Sequence, residues 1–398
     1  MKSLVNMKKL VNRFIKIFGK KSFEDSVINL ICYQIKKKYP NVNEKKTLLA
    51  FIYASSMGIT ITMAVKRLKK KGYKIHSNKK ILDTIAGFDQ EMIDEFMKVT
   101  RTVVIRVAKR YGFCKRKTIV SIDFHDKPFY GNREIGEVVG TKRKLGTNFA
   151  YSYITICICE EGVRFNLATI PVTQLRLKNN LVKQLIDEAR KHVSIGLILL
   201  DRGFNGVEVS RVLDAKMVKY VMPLVDNKKI ERVCKTSRKL SVMSYTYYED
   251  RPKEYQKDIR IIVDNRNKKK HLFTTNIQGD QRAVLSIIIA AYRKRWGIET
   301  GYRVAGDFYA WTTSVKFNTR TFLALLSFIM QDLWTLYNFL EQRETKMHQP
   351  RNRLLKGCRT VLKFIKKSVQ DLKFYWRPST EAELFRDDIS DCVKRLLV

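Results

Sequence analysis

The spacing of apolar residues separates a helical part of the chain from a strand-forming part. Up to about residue 110, apolar residues recur every three or four positions, as in VINLICYQIKKKY and TLLAFIYASSMGITITMAVKRLKKKG, which predicts amphipathic helices. Gly58 breaks the second stretch, Thr60 or Thr62 can begin the next helix, and Gly72 can end it. Helix, tight turn, helix is the order of a helix-turn-helix unit.

The next hundred residues have the pattern of a mixed sheet. TIVSIDF and LILLD are short apolar runs typical of buried strands, and YSYITICICEE and VRFNLATIPV have the composition of a hairpin around Glu161-Gly162. NNLVKQLIDEARKHV and residues 205–215 fit helices, and KYVMPL fits another strand. The order of strand, two strands, helix, strand, helix, strand predicts an α/β fold with a mixed sheet.

The remaining patterns complete the predicted organisation. SYTYYED, DIRIIVDN and KKHLFTT predict a small antiparallel β insertion, residues 281–308 a long helix, and the chain from 319 onward further helices. Five parts follow: a helical part at 1–112, the first part of the core at 113–223, a β-rich insertion at 224–278, the last part of the core at 279–342, and a C-terminal helical part at 343–398.

The most apolar stretch predicts a core helix rather than a membrane span. Gln331 and Asp332 lie at the centre of TFLALLSFIMQDLWTLYNFL, where a bilayer would penalise them. The N-terminal segment MKSLVNMKKLVNRFIKIFGKK has no uninterrupted apolar region, so we expect a basic amphipathic helix there. Seven scattered cysteines without a paired C-x-x-C indicate free thiols in a reducing compartment.

The charge of the chain indicates what it binds rather than how it folds. The formal net charge is +40, and residues 1–118 carry 28 basic and 8 acidic side chains. The simplest partner for such a surface is nucleic acid, and an anionic membrane is the second option. We predict DNA contact by an N-terminal basic patch, with a solvated helix face as the alternative; the patch comprises Lys66, Arg67, Lys69, Lys70, Lys71, Lys74, Lys79 and Lys80.

Three acids occupy positions suited to chemistry. Asp123 and Asp201 close the two buried strands, and the carboxyl ends of adjacent parallel strands meet at one edge of a sheet. Glu299 follows Tyr292 and Arg295 at spacings that put all three on one helix face. Each acid alone also fits a strand leaving the core or a surface ion pair.

Together, the three carboxylates predict a site for a hard cation. Oxygen ligands without clustered cysteine or histidine suit Mg²⁺ or Mn²⁺. A pair of such ions can stabilise both the attacking and the leaving oxygen of a phosphodiester displacement. A basic protein with this cluster is therefore a candidate for cutting or joining DNA.

The segments SIDFHDKPFYG, LLDRGFNGVEV and YRKRWGIETGYR resemble, in their order, the DDE transposases of bacterial and archaeal insertion sequences. The resemblance covers roughly residues 118–340. It is closer to the subgroup whose last acid lies in a Y-x2-R-x3-E-x6-K signature and, within that subgroup, to archaeal elements.

The resemblance implies an RNase H-like catalytic core in which Asp123, Asp201 and Glu299 bind two Mg²⁺ ions, with Mn²⁺ as a substitute. It also implies that Tyr292 and Arg295 contact phosphates at the element's end. The expected partner is double-stranded DNA, both insertion-sequence ends and target, bound by a homodimer on paired ends. We expect a prokaryotic, cytoplasmic, nucleoid-associated protein without a small-molecule cofactor or a membrane partner.

One position departs from the signature. Lysine is expected seven residues after Glu299, where this chain has Gly306. Arg303, about one turn earlier, could supply the charge, although an arginine fork does not replace a lysine point charge without effect. The departure leaves open that the chain is an inactivated copy.

Three neighbours of the acids have two interpretations each. His125 could hydrogen-bond a metal-bound water or a ligand carboxylate, or be satisfied by backbone groups. Arg202 could meet a phosphate or pair with a surface acid. Trp296 could stack on an unpaired base at a cut end, or pack against the sheet.

The sequence thus predicts a transposase that binds the ends of its insertion sequence and catalyses metal-dependent strand cleavage and strand transfer, as in cut-and-paste transposition. The alternatives are a DDE-type nuclease that never joins strands, a DNA-binding protein with a decayed or repurposed core, and a basic protein of membrane surfaces.

Overall fold

The computed structural model describes residues 45–110, 117–131, 136–160, 164–173, 176–224, 228–234, 240–264, 271–279, 284, 288 and 291–347. The helices predicted before residue 45, the hairpin turn at Glu161-Gly162 and nearly all of the C-terminal helical part lie outside these residues. The chain divides into two compact units, Met1–Phe339 and Leu340–Val398. In the second unit, only the end of one helix is described.

Helices precede, separate and follow the strands along the chain. The helices are α1 Lys45–Ser56, α2 Ile61–Lys70, α3 Asn78–Ala86, α4 Gln90–Arg110, α5 Lys178–Arg190, α6 Val207–Ala215, α7 Lys228–Cys234, α8 Trp296–Asp307 and α9 Phe317–Met347. The strands are β1 Thr118–Pro128, β2 Val139–Lys144, β3 Thr147–Ile158, β4 Asn166–Val172, β5 Ile195–Leu200, β6 Tyr220–Pro223, β7 Leu240–Tyr247, β8 Lys257–Asp264 and β9 His271–Thr275. A short 3₁₀ turn, Arg202–Phe204, links β5 to α6.

The first helices begin and end where local residue chemistry predicts. The Thr60 side chain accepts a hydrogen bond from the Met63 backbone at the start of α2, and Ser77 caps α3 in the same way. Gly72 follows α2 with a φ of 82°, a left-handed conformation that glycine adopts without steric cost.

The strands form one mixed sheet in the order β2-β3-β1-β5-β6-β9-β8-β7, with β4 also paired to β3. β1 runs antiparallel to β3 and parallel to β5, and β5 runs parallel to β6. This arrangement confirms the predicted α/β fold class with a mixed sheet. The insertion strands β7, β8 and β9 continue the same sheet, because β9 pairs antiparallel with β6.

Some elements differ from the sequence predictions. β1 continues to Pro128 instead of ending near Asp123, because its later residues still pair with β3. β2 and α7 were not predicted. The predicted helix over 281–308 is interrupted: residues 294–295 form a turn, and α8 begins at Trp296.

The long helix α9 lies in the core, as predicted. Its residues from Thr321 to Leu333 are buried apart from the half-buried Met330, and both Gln331 and Asp332 are buried. Phe322 packs against Phe51 and Phe88 with ring centroids 5.1 and 5.0 Å apart, so α9 joins the N-terminal helices to the sheet. Within the described parts of the chain, no single helix is long and apolar enough to cross a membrane; only the pair formed by α1 and α2, bent by 110°, passes on length and composition.

Candidate active site

The sheet register brings Asp123 and Asp201 to the same level. Ile122 and Leu200 form the last described pair between β1 and β5. Asp123 is the next residue of β1, and Asp201 directly follows β5 and begins the turn that leads to α6. Both acids therefore lie at one edge of the parallel part of the sheet, where open α/β sheets place functional groups.

Arg295 joins the two strand acids to Glu299. Its guanidinium lies 3.4 Å from Asp123 Oδ2, 3.8 Å from Asp201 Oδ1 and 2.7 Å from Glu299 Oε1. Arg295 is the residue before α8, and Glu299 lies in the first turn of that helix. The structure thus brings three of the sequence-predicted acids together around the fourth predicted residue, Arg295, whose side chain is only 11% exposed.

Burial and neighbouring charges shift the pKa values of Asp123, Arg295 and Tyr292. Burial raises the pKa of Asp123 to about 6, against the opposing effects of the Phe124 backbone N–H and of Arg295, while the Asp201 and Glu299 carboxylates raise it further. Burial opposes the charge on Arg295, but Tyr292 and the three carboxylates together raise its pKa. Burial likewise raises the pKa of Tyr292 to about 12.

Contacts of neighbouring residues connect β1 near Asp123 to the turn after Asp201. The rings of Phe124 and Phe204 stack in parallel, 4.9 Å apart, which connects the residue after Asp123 to the turn after Asp201. Lys178 Nζ donates a hydrogen bond to the Gly203 carbonyl oxygen at 2.7 Å.

The insertion also contacts the turn after Asp201. The Tyr247 hydroxyl on β7 donates to Asn205 Oδ1 at 2.8 Å, and Asn205 Nδ2 donates to the Pro223 carbonyl oxygen at 3.1 Å. The β-rich insertion is therefore bonded directly to the loop that carries Asp201.

Tyr302 is a residue of the site that the sequence analysis missed. Its hydroxyl donates to the Asp123 carbonyl oxygen at 2.9 Å and lies 2.6 Å from Thr155 Oγ1. A usable signal was its spacing, since residues three apart on a helix share a face and Tyr302 comes three after Glu299.

The other predicted site residues have more varied positions. Tyr292 packs against Phe273 with ring centroids 4.8 Å apart, in the core cluster beneath the sheet edge. Arg202 and Arg303 are exposed, one directly after Asp201 and the other one turn after Glu299. Trp296 is 62% exposed, so its packing against the sheet, one of its two predicted interpretations, is not observed.

His125 lies on β1 two residues after Asp123, between two aromatic rings. Its ring centroid is 4.6 Å from that of Tyr302 and 5.6 Å from that of Phe328. Alternate residues of a strand share a face, so His125 and Asp123 point toward the same side of the sheet.

The N-terminal basic patch lies on and after α2. Ile61, Ala64, Val65 and Leu68 are buried on one side of this helix, which leaves the charged side chains outward. Arg67 is half-buried and the other seven members of the patch are exposed.

The donor set at the sheet edge suits a hard divalent cation. In the described part of the chain, no group of three or more histidine, cysteine, aspartate or glutamate side chains is already gathered closely enough to hold a metal ion. The Arg295 guanidinium, however, already acts as a cation in contact with Asp123, Asp201 and Glu299. All-oxygen carboxylate ligands fit Mg²⁺ or Mn²⁺, so the residues present are compatible with the metal that the sequence predicts, provided that Arg295 moves away.

Comparison with known proteins gives a family match that covers all three acids. A family model described as "Transposase DDE domain" matches residues 116–331. Among solved structures, a crystal structure of a pre-cleavage Mos1 transpososome matches with 11% sequence identity and a TM-score of 0.16, covering 52% of this chain and 75% of that one. No curated protein matches the sequence.

Proposed function

The chain belongs to the transposase DDE domain family, and on this premise we propose that it binds the ends of its own insertion sequence, cuts DNA there and joins the released end to target DNA. The observation that carries the proposal is the contact of Asp123, Asp201 and Glu299 with one buried cationic group at the sheet edge. That arrangement of carboxylates around positive charge suits a metal-dependent reaction at phosphate.

In this proposal, Asp123, Asp201 and Glu299 would hold two Mg²⁺ ions, with Mn²⁺ as a substitute, and Asp123 would be the central ligand of the three. When bound, such ions stabilise the charge on the attacking and leaving oxygens and lower the pKa of a coordinated water. Asp123 is the most buried of the three acids, and the raised pKa of about 6 leaves it largely ionised at neutral pH.

The chemistry consists of two displacements at phosphorus. Water attacks a phosphodiester at the element's end, the bond to the 3′ oxygen breaks, and a 3′-hydroxyl is released. That hydroxyl then attacks a target phosphodiester, and one phosphodiester bond forms as another breaks. No covalent bond between protein and DNA is required.

Arg295 has two roles in this scheme. Without DNA it neutralises the carboxylates, and on binding DNA it turns to a phosphate near the cut, where an arginine fork can make two charge-assisted hydrogen bonds. Tyr292 supports the Arg295 guanidinium, which lies 5.8 Å from its ring centroid. Arg202 and Arg303 flank the acids as further phosphate contacts, and His125, on β1, would orient a ligand carboxylate or a water of the site.

DNA binding is assigned to the helix-turn-helix order of α1, α2 and α3 together with the N-terminal basic patch. The exposed patch has no acidic member across Lys66–Lys80, which favours a polyanion. The partner is double-stranded DNA, both element ends and target, and the acting form is a homodimer on paired ends. The site of action is the nucleoid in the cytoplasm of a prokaryote.

The subgroup with the Y-x2-R-x3-E-x6-K signature, and archaeal elements within it, remain the proposed relatives. Tyr292, Arg295 and Glu299 match that signature, whereas Gly306 does not. Gly306 is exposed, and a Cβ at this position would meet no atom within 4 Å, so a lysine would fit there.

The proposal is tested by cleavage of DNA that carries the gene's own flanking sequence. Wild type and Asp201→Ala are compared in Mg²⁺, in Mn²⁺ and in chelator, with unlabelled target DNA present to capture joined products. We expect cuts at two fixed flanking positions, followed by joining, both dependent on metal and absent from the variant. Equal cutting by Asp201→Ala would contradict the proposal.

A second candidate is a DNA-binding protein with an inactive core, and Gly306 is the observation that favours it. Its mark would be binding to the flanking DNA without any metal-dependent cutting by the wild type. In that case, cutting restored by Gly306→Lys would identify the missing lysine as the cause. Cutting without joining would instead identify a nuclease.

A further inference from the structure

Tyr302 connects the helix that carries Glu299 to the strand that carries Asp123. It lies on α8 one turn after Glu299, and its hydroxyl donates to the carbonyl oxygen of Asp123 at 2.9 Å. The bond therefore joins the two elements that supply Asp123 and Glu299. It ends on the backbone of Asp123 and begins one helical turn from Glu299.

A second hydrogen bond orients the Tyr302 hydroxyl. A phenol has one proton, and in Tyr302 that proton is given to Asp123. Thr155, 2.6 Å away, is therefore the donor in its contact with Tyr302. Thr155 is also the residue of β3 that pairs directly with Asp123 in the sheet, so the three residues form a closed set across β1, β3 and α8.

Packing holds the Tyr302 ring in this position. The ring packs against the buried cluster of Cys157, Cys159 and Ile298. On its other sides, it contacts the His125 ring and lies 6.1 Å from the ring of Phe328 on α9. An aromatic ring enclosed in this way transmits the position of α8 to the strand, because close-packed interiors do not deform freely.

The backbone at Asp123 lacks the support of one neighbouring strand, so a hydrogen bond from α8 can restrain it. It lies one residue beyond the last described pair between β1 and β5, so β1 no longer pairs with β5 at that residue. A hydrogen bond from α8 supplies a restraint at that point. Groups that orient metal ligands from behind tune the affinity of the metal.

We propose that Tyr302 is a positioning residue that sets the separation of Asp123 and Glu299 and thereby the affinity of the site for divalent metal. The inference rests on the proposed function, since it takes the three acids as metal ligands. Tyr302 itself touches neither DNA nor metal in this proposal, and it acts through Asp123.

The test measures Mn²⁺ binding to the full-length protein by electron paramagnetic resonance, with Mn²⁺ alone as the probe. Tyr302→Phe keeps the ring and removes the hydroxyl. We expect its Kd for Mn²⁺ to rise about tenfold, the lower end of the range for groups that orient metal ligands. Asp123→Ala defines the signal that belongs to this site, because ions bound elsewhere remain in that variant.

A matched control separates positioning from general loosening. Tyr220 is a buried tyrosine of the sheet, on β6, and Tyr220→Phe removes a hydroxyl from an element other than α8. This control is expected to keep the wild-type Kd. Thr155→Val, which removes only the bond that orients the Tyr302 hydroxyl, is expected to raise the Kd by less than Tyr302→Phe.

Three outcomes would overturn the inference. If Tyr302→Phe binds Mn²⁺ as wild type does while Asp123→Ala loses the site, the positioning role is wrong and the proposed metal site stands. If Tyr220→Phe weakens binding as much as Tyr302→Phe, the effect is general loosening. If Asp123→Ala leaves wild-type binding unchanged, the proposed metal site fails, and the inference fails with it.

Discussion

Single residues of this protein show how burial sets the protonation of a carboxyl group. Asp332 lies on α9 and is buried. Its Oδ1 atom accepts a hydrogen bond from the Asn166 backbone at 2.7 Å, yet burial raises its pKa to about 8. At neutral pH, Asp332 is therefore mainly neutral in the folded protein, although it is ionised in the unfolded chain.

This difference predicts a pH-dependent effect of Asp332→Asn. The folded-state pKa of about 8 exceeds the ordinary value of 3.8, so the folded protein keeps a proton that the unfolded chain loses, and the wild-type free energy of unfolding falls as pH rises across that window. Asparagine keeps the acceptor and cannot ionise. Asp332→Asn should therefore gain stability relative to wild type with rising pH, by a few kcal/mol near pH 8.

Urea unfolding at pH 4.5, 6 and 8 measures this effect. Asp250→Asn is the control, because the Asp250 side chain is 69% exposed and its removal should give no comparable trend. A difference between Asp332→Asn and wild type that stays constant across the three pH values would contradict the prediction.

At the scale of elements, the turn between α1 and α2 packs against the end of α8. Gly58 in this turn has a φ of 57°, and a Cβ there would lie 2.9 Å from the Asp307 carbonyl oxygen. Ser55 Oγ donates to the Phe308 carbonyl oxygen at 2.5 Å. The predicted DNA-binding helices are thus in direct contact with the helix that carries Glu299.

Gly58→Ala tests this contact, with Gly72→Ala as a matched control. Both glycines have positive φ, but nothing lies within 4 Å of a Cβ at Gly72. The free energy of unfolding of Gly72→Ala should fall by about 1 kcal/mol, because alanine is strained at positive φ. That of Gly58→Ala should fall by about 1–3 kcal/mol more, because the new methyl group forces the turn and α8 apart. Equal losses in urea unfolding of the two variants would show that the turn does not bear on α8.

Elements specified by local chemistry were predictable from the sequence. Thr60 and Ser77 cap their helices through their own side chains. The second half of β1 was missed because HDKP is polar and becomes a strand only by pairing with the distant β3. The interruption before α8 was missed because the apolar period continues through the turn at 294–295.

The candidate site was predictable to the same extent. Strand ends and helix spacing nominate Asp123, Asp201 and Glu299 without any knowledge of their neighbours. The position of Arg295 among all three carboxylates depends on how α8 meets the sheet edge, and so does the bond from Tyr302 to the Asp123 backbone. The pairing of Arg295 with Glu299 follows from their spacing, but the contacts of Arg295 with the two aspartates and of Tyr302 with Asp123 join residues far apart in sequence.

At the scale of the whole molecule, basic residues occur along the entire chain, and the formal net charge is +40. The proposal assigns a specific part of DNA binding to the N-terminal basic patch. The salt dependence of DNA affinity separates the contribution of the overall charge from that of the patch. Removing one ion pair between protein and phosphate reduces the slope of log K against log salt by about 0.9.

Lys69→Gln combined with Lys70→Gln removes two exposed charges of the patch. We expect this variant to lower the salt slope by about 2. Lys183→Gln combined with Lys219→Gln removes the same charge from exposed positions on α5 and next to β6 and should leave the slope near wild type. Fluorescence anisotropy with labelled flanking DNA makes the measurement, and equal slopes for the two variants would mean that overall charge, not the patch, binds DNA.

The central claim is that the acids at the sheet edge bind the metal used to cut DNA. The most direct test is the metal preference of Asp201→Cys, because a thiolate favours softer divalent ions than a carboxylate does. We predict that this variant does not cut flanking DNA in Mg²⁺ and recovers cutting in Mn²⁺, while Asp201→Ala stays inactive in both. Cutting by Asp201→Cys at the wild-type rate in Mg²⁺ would contradict the claim.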